Sequence, residues 1–155
     1  MENNLRKILL IGVGNEYRSD DGVGLVVARK IHEKMISSIT VKEESGEGAA
    51  MIEAWQGFQN VIIVDAVSSG AMPGTIFRID AHKETVPIKF FHYSTHAFSV
   101  AEAVELARTM NFLPSKLIVY GIEGNNFVAG TTISLLVQET AHKIIEQLIK
   151  EIKSL

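Results

Sequence analysis

Hydrophobic residues in this chain follow two patterns. Some form short unbroken runs, and others recur at every third or fourth position. The runs predict strands buried on both faces, and the spaced sets predict helices with one apolar stripe. Lys7 to Val13 is a run of Ile, Leu and Val that stops at a glycine, as a buried strand would. From Asp20 to about Met35, the residues Val23, Val26, Val27 and Ile31 return at helical spacing, with Ser19 or Asp20 placed to cap that helix. Ile39 to Lys42 predicts a short second strand, Gly46 to Gly48 a loop, and Ala49 to Trp55 a short helix. Val61 to Val67, VIIVDAV, is the strongest strand pattern in the chain. The turn-rich Ser68 to Gly74 leads to Thr75 to Asp80, whose alternation predicts an edge strand. Glu84 to Tyr93 reads as irregular. Ser94 or Thr95 is expected to cap a helix running to about Met110, with Val100, Val104 and Ala107 on one face. Lys116 to Gly121 predicts another buried strand. Thr131 to about Lys153 predicts a long amphipathic helix that turns Ile133, Val137, Ala141, Ile144, Ile145, Leu148 and Ile152 inward.

Strands that alternate with helices imply a mostly parallel sheet covered on both faces. The expected fold is a three-layer α/β/α sandwich of about five strands, one of them antiparallel, in a single domain spanning residues 1–155. Ligands in such sheets bind beyond the carboxyl ends of the strands, where strand order reverses. That rule directs attention to Gly12–Gly24, Asp65–Gly70, the segment before the third helix, and Gly121–Gly130.

Composition narrows the functional classes. With 155 residues and 46% hydrophobic content, the chain can bury one core of ordinary size. A formal charge of −3 offers no basic field for nucleic acid. The absence of cysteine excludes a disulfide framework, a thiolate metal site and a cysteine nucleophile. The first seven residues carry no long apolar segment, and no run approaches the roughly 20 apolar residues that span a bilayer. A soluble cytoplasmic protein is expected.

The segment GVGNEYRSDDGVG, Gly12 to Gly24, resembles a dinucleotide loop but departs from it. The fingerprint G-x-G-x-x-G is met at Gly12 and Gly14, yet its third place is Tyr17, and acids open the helix where a pyrophosphate would bind. Asp20 is the better helix cap, which leaves Asp21 surplus at the ligand edge. Asp65 ends an apolar strand, where a carboxylate must be hydrogen-bonded, paired or bound to a cation. His96, in FHYSTHAFSV, falls just inside the expected third helix and could equally be a packing residue. His92 lies outside that helix, and without a Glu at position 93 the pair is not the zinc-protease motif. His32, His82 and His142 read as surface residues. Asp21, Asp65 and His96 come from three separate segments that the fold should bring to one sheet edge. Two carboxylates and one imidazole suit a divalent cation of the zinc or nickel kind, with a coordination position left open.

On these residues the chain resembles the hydrogenase maturation endopeptidases. The matching motifs are Gly12-Val13-Gly14-Asn15 with Asp20-Asp21-Gly22-Val23-Gly24, then Val64-Asp65-Ala66 followed by Pro73-Gly74-Thr75, then Ser94-Thr95-His96. The resemblance covers nearly the whole chain. It implies a protease that removes the C-terminal extension of a nickel-iron hydrogenase large-subunit precursor, with Asp21, Asp65 and His96 as metal-binding and catalytic residues. The implied metal is nickel already inserted in the precursor, with other divalent cations able to occupy the site. The implied partner is that precursor, met by a monomer, with neither nucleic acid nor membrane involved. Glu16 does not match the ligand position. Glu47 stands where a small hydroxyl residue is common, and Gly124 replaces a frequent proline. Two other functions fit the residues: a nickel-sensing assembly factor without hydrolysis, and a nucleotide-binding enzyme using the Gly12–Gly14 loop.

Overall fold

A computed structural model describes residues 7–155. The first six residues, part of the segment in which no leader was recognised, lie outside the described residues. Five strands form one sheet in the order β2-β1-β3-β5-β4: β1 Ile8–Val13, β2 Ile39–Glu44, β3 Asn60–Val67, β4 Ile76–Asp80 and β5 Lys116–Glu123. All neighbours are parallel except β4, which runs antiparallel to β5 at the edge, with Ile76 opposite Ile122. Helices α1 (Val23–Glu33) and α4 (Leu135–Ser154) cover one face; α2 (Gly48–Trp55) and α3 (Val100–Thr109) cover the other. The fold expected from the pattern is the one observed.

The pleat of the central strands explains both cores. Along β3, Ile62, Val64 and Ala66 pack with Val27, Ile31, Ile144 and Leu148 of α1 and α4. Val61, Ile63 and Val67 pack with Met51, Trp55, Val100 and Val104 of α2 and α3. Asp65 follows the second set by alternation, so its carboxylate enters the layer of α2 and α3.

Chain order reverses between β1 and β3. From β1 the chain goes out through α1 to the edge strand β2, then returns through α2 on the opposite face to β3. The two connections leave a crevice at the carboxyl ends of β1 and β3. Two glycines let the backbone close around it. Gly14 has φ of +154°, and a methyl group there would meet the Asp21 carbonyl. At Gly24 a methyl group would collide with the carbonyl oxygens of Val13 and Val64, so α1 starts in direct contact with both strand ends.

Several element boundaries differ from the expectation. A short 3-10 turn, Ser19–Gly22, precedes α1, and no side chain caps either segment. Helix α3 starts at Val100, not at Ser94 or Thr95. The Ser94 hydroxyl is taken by the His96 backbone N–H at 3.2 Å. Ser99 forms the true N-terminus, its N–H and hydroxyl both donating to Glu102, at 3.1 and 2.7 Å. His96 therefore lies in an irregular segment rather than on a helix. Helix α4 begins at Leu135, so Ile133 packs against the core from the preceding loop. The segment Glu84 to Tyr93 contains one 3-10 turn, Ile88–Phe91. His32, His82 and His142 are exposed, as expected.

Candidate active site

The adjacent acids Asp20 and Asp21 have separate tasks. Ser19 adopts a left-handed backbone, φ +55°, and its hydroxyl donates to the Val128 carbonyl at 2.8 Å. This twist sends Asp20 inward, fully buried, where it accepts the N–H groups of Asn125, Asn126 and Ser134 and the Ser134 hydroxyl, at 2.7–2.9 Å. Asp20 thus ties the β5–α4 loop to the end of β1, and the expected capping role is not the observed one. Asp21, half-buried, points the other way into the crevice, where its carboxylate accepts the Asn15 N–H at 3.0 Å.

Asp21, Asp65 and His96 line the same cavity of about 270 Å³. Asp65 is 4% exposed, and its Oδ1 is buried without a hydrogen-bond partner. Burial pushes its carboxyl well above the ordinary carboxylate range, and the nearby Asp21 charge pushes it further. Burial also raises Asp21. The Asn15 amide and the charges of Arg18 and His96 oppose that shift. Two interacting carboxylates titrate as a pair. Burial weighs more heavily on Asp65 than on Asp21, so within the pair Asp65 holds a proton the more tightly. An orphaned buried oxygen calls for a proton, a water or a cation. The donor set of two carboxylates and an imidazole fits a borderline divalent metal. Among the described residues, however, no three acidic or imidazole groups stand close enough to hold a metal ion as they are placed.

His96 is half-buried at the cavity wall beside Gly46, on a segment anchored at both ends. Downstream, the Phe98 carbonyl accepts the Gly48 N–H at 2.8 Å, and the Phe98 ring fills the space above Gly48. Upstream, Tyr93 donates its hydroxyl to the Ala66 carbonyl, next to Asp65. The Tyr93 ring stacks on Phe127 with centroids 4.1 Å apart. Asp21 lies beside the same hydroxyl. One phenolic proton cannot serve both acceptors, and the geometry gives it to Ala66.

Three other acids at this edge are committed elsewhere. Glu16 lines the cavity mouth but pairs with Arg29 at 3.3 Å, and Arg29 holds Glu43 more closely, at 2.7 Å. Glu47 caps α2, accepting the N–H groups of Ala49 and Ala50 at 2.9 Å each, which lowers its carboxyl below the usual range. Glu123 is buried and binds the Ser69 and Gly70 amides after β3. His92 is exposed and its ring meets the Lys89 carbonyl. Sequence reasoning missed Tyr93 and Phe127. The one available signal was a large aromatic in the otherwise small and polar stretch HYSTH.

The family model for hydrogenase maturation proteases matches residues 25–151, which include Asp65 and His96. The chain belongs to the hydrogenase maturation protease family. Membership makes it a hydrolase of the endopeptidase kind. A provisionally named hydrogenase maturation protease of Methanocaldococcus jannaschii is 30% identical over 157 residues, covering 96% of this chain and 97% of that one. The fold agrees with the solution structure of an endopeptidase from Escherichia coli, with a TM-score of 0.82 and 21% identity over 96% of this chain and 93% of that one. It also agrees with the crystal structure of a [NiFe] hydrogenase maturation protease from Thermococcus kodakarensis KOD1, with a TM-score of 0.71 and 23% identity over 95% and 92% of the two chains. No described helix is long and apolar enough to cross a membrane.

Proposed function

We propose that this maturation protease cleaves the C-terminal extension from a nickel-loaded precursor of a nickel-iron hydrogenase large subunit, acting as a monomer in the cytoplasm. The observation that carries the reading is the unpartnered Oδ1 of buried Asp65, in one cavity with Asp21 and His96. In this reading the nickel is part of the substrate. It arrives already held by the precursor's own ligands, and Asp21, Asp65 and His96 complete its surroundings. The three side chains need not form a cage beforehand, because the precursor supplies the rest.

Nickel held by the precursor would supply a Lewis acid. The chain's own residues position the extension and handle protons. Of the two carboxylates, Asp21 is the less buried, and burial raises its pKa above the ordinary value, which makes it a stronger base than a free carboxylate. Asp65 and His96 fix the approach of the substrate.

Purified protein mixed with nickel-loaded precursor should shorten it. Asp21→Ala, Asp65→Ala and His96→Ala should each abolish shortening while leaving the fold intact, whereas Glu16→Gln should keep at least partial activity. A stable complex with no cleavage would refute the protease reading and favour an assembly factor. A dead Glu16→Gln beside a fully active Asp21→Asn would show that the first ligand is misplaced.

A further inference from the structure

We infer that Tyr93 is a positioning residue that sets His96 against Asp21 and Asp65. The inference rests on the proposed role of these three residues. From His92 to Ser99 the chain has neither helix nor strand, so side-chain anchors must fix the imidazole in place. Phe98 provides the downstream anchor over Gly48. Tyr93 provides the upstream one, with only Ser94 and Thr95 between it and His96.

Its hydroxyl and its ring bind two different elements. The hydroxyl bonds to the Ala66 carbonyl and so fastens the segment to the strand end that carries Asp65. The ring lies on Phe127, whose carbonyl accepts the Arg18 Nε–H at 3.3 Å. Phe127 belongs to the loop that Asp20 binds, beside the turn that carries Asp21. Tyr93 therefore links the supports of all three site residues. Loss of the hydroxyl frees the upstream end of this segment without emptying the space that the ring fills. Small displacements of a positioned group can reduce rate by large factors.

Tyr93→Phe keeps the ring and removes only the hydroxyl. We expect kcat for precursor shortening to fall about tenfold or more. The KM should stay within about threefold, because the lost contact is not one made to substrate. The melting midpoint should stay within about 5 °C of the wild type, the size of change that loss of one hydrogen bond allows. In the free protein, the His96 imidazole NMR signals should shift or broaden. Phe127→Leu, which keeps the hydroxyl but removes its stacking platform, should move the same His96 signals and lower kcat as well. Shortening by Tyr93→Phe within about twofold of wild type would overturn the inference. So would unmoved His96 signals in both variants, or a kcat loss that merely tracks a larger fall in melting midpoint. If the wild-type protein shortens no precursor, the proposed function fails instead, and the His96 signals still decide whether Tyr93 positions that ring.

Discussion

Asp65→Asn should make the metal-free protein more stable at neutral pH and less able to process precursor. The reasoning starts from burial: a carboxylate that is 4% exposed, with one oxygen lacking any partner and another carboxylate nearby, resists ionisation in the folded state. Its folded pKa is raised well above 3.8, while in the unfolded chain it titrates near the ordinary value. Below that ordinary value both states are protonated and ionisation contributes nothing. As pH rises toward the folded pKa, the unfolded chain loses its proton and the folded protein keeps it. Unfolding is then progressively favoured, and the penalty is complete once pH exceeds the folded pKa. Asparagine has nearly the same shape and no charge, so the difference between variant and wild type isolates this effect. An unsatisfied buried polar group costs about 1–3 kcal/mol, more when charged. For a chain of this size each kcal/mol moves the melting midpoint by roughly 2–4 °C. The gain should therefore be on the order of 2–10 °C at pH 8 and near zero at about pH 4. Calorimetric melting of both proteins in chelator across this range tests it. A difference independent of pH, or a wild type more stable than the variant at pH 8, would refute the argument.

Asp20→Ala should destabilise the protein by about 3 kcal/mol in urea titration, since it removes the buried carboxylate that accepts three backbone N–H groups and the Ser134 hydroxyl. Gly24→Ala should lower stability by about 1–3 kcal/mol or more, because the added methyl meets carbonyl oxygens of two strands that cannot move aside; equal urea midpoints would contradict it. Arg78→Ala leaves the 9% exposed Glu151 with only the Tyr120 hydroxyl, at 3.2 Å. Since Arg78 itself is 41% exposed, the loss should be about 1 kcal/mol, with precursor shortening at the wild-type rate.

The layers and strands were legible because burial on both faces demands continuous apolar runs, as in VIIVDAV, and burial on one face demands a stripe, as in α4. The meeting of Asp21, Asp65 and His96 at one sheet edge was legible for a related reason: strand ends and the connections after them share one side of a parallel sheet. Local signals failed where two readings used the same residue type. Ser94, Thr95 and Ser99 can all cap a helix. Only Ser99 is followed three residues later by a glutamate, and the expectation fell on the earlier pair. Asp20 looked like a cap because acids favour helix starts, but its partners lie in a loop over a hundred residues away. Tyr93 had no pattern to mark it, since its partners are a carbonyl on β3 and a ring on the β5–α4 loop.

The buried pair of acids bears on how the site would tell free metal from substrate-bound metal. Burial and the nearby Asp21 make Asp65 hold a proton more tightly than an ordinary carboxyl, and a cation must displace that proton before it can bind. Asp21 and His96 are then left as the readily available donors, and among the described residues no third acidic or imidazole group stands close enough to complete a cage. A free ion thus gains few contacts against proton release and the repositioning of His96. A metal already fixed in a docked precursor would have its remaining ligands in place, and the precursor's own contacts would offset the same displacement. On the proposed reading, the unstable carboxylate at the end of β3 favours a loaded precursor over free cation. Asp65→Asn would then gain stability by losing that discrimination.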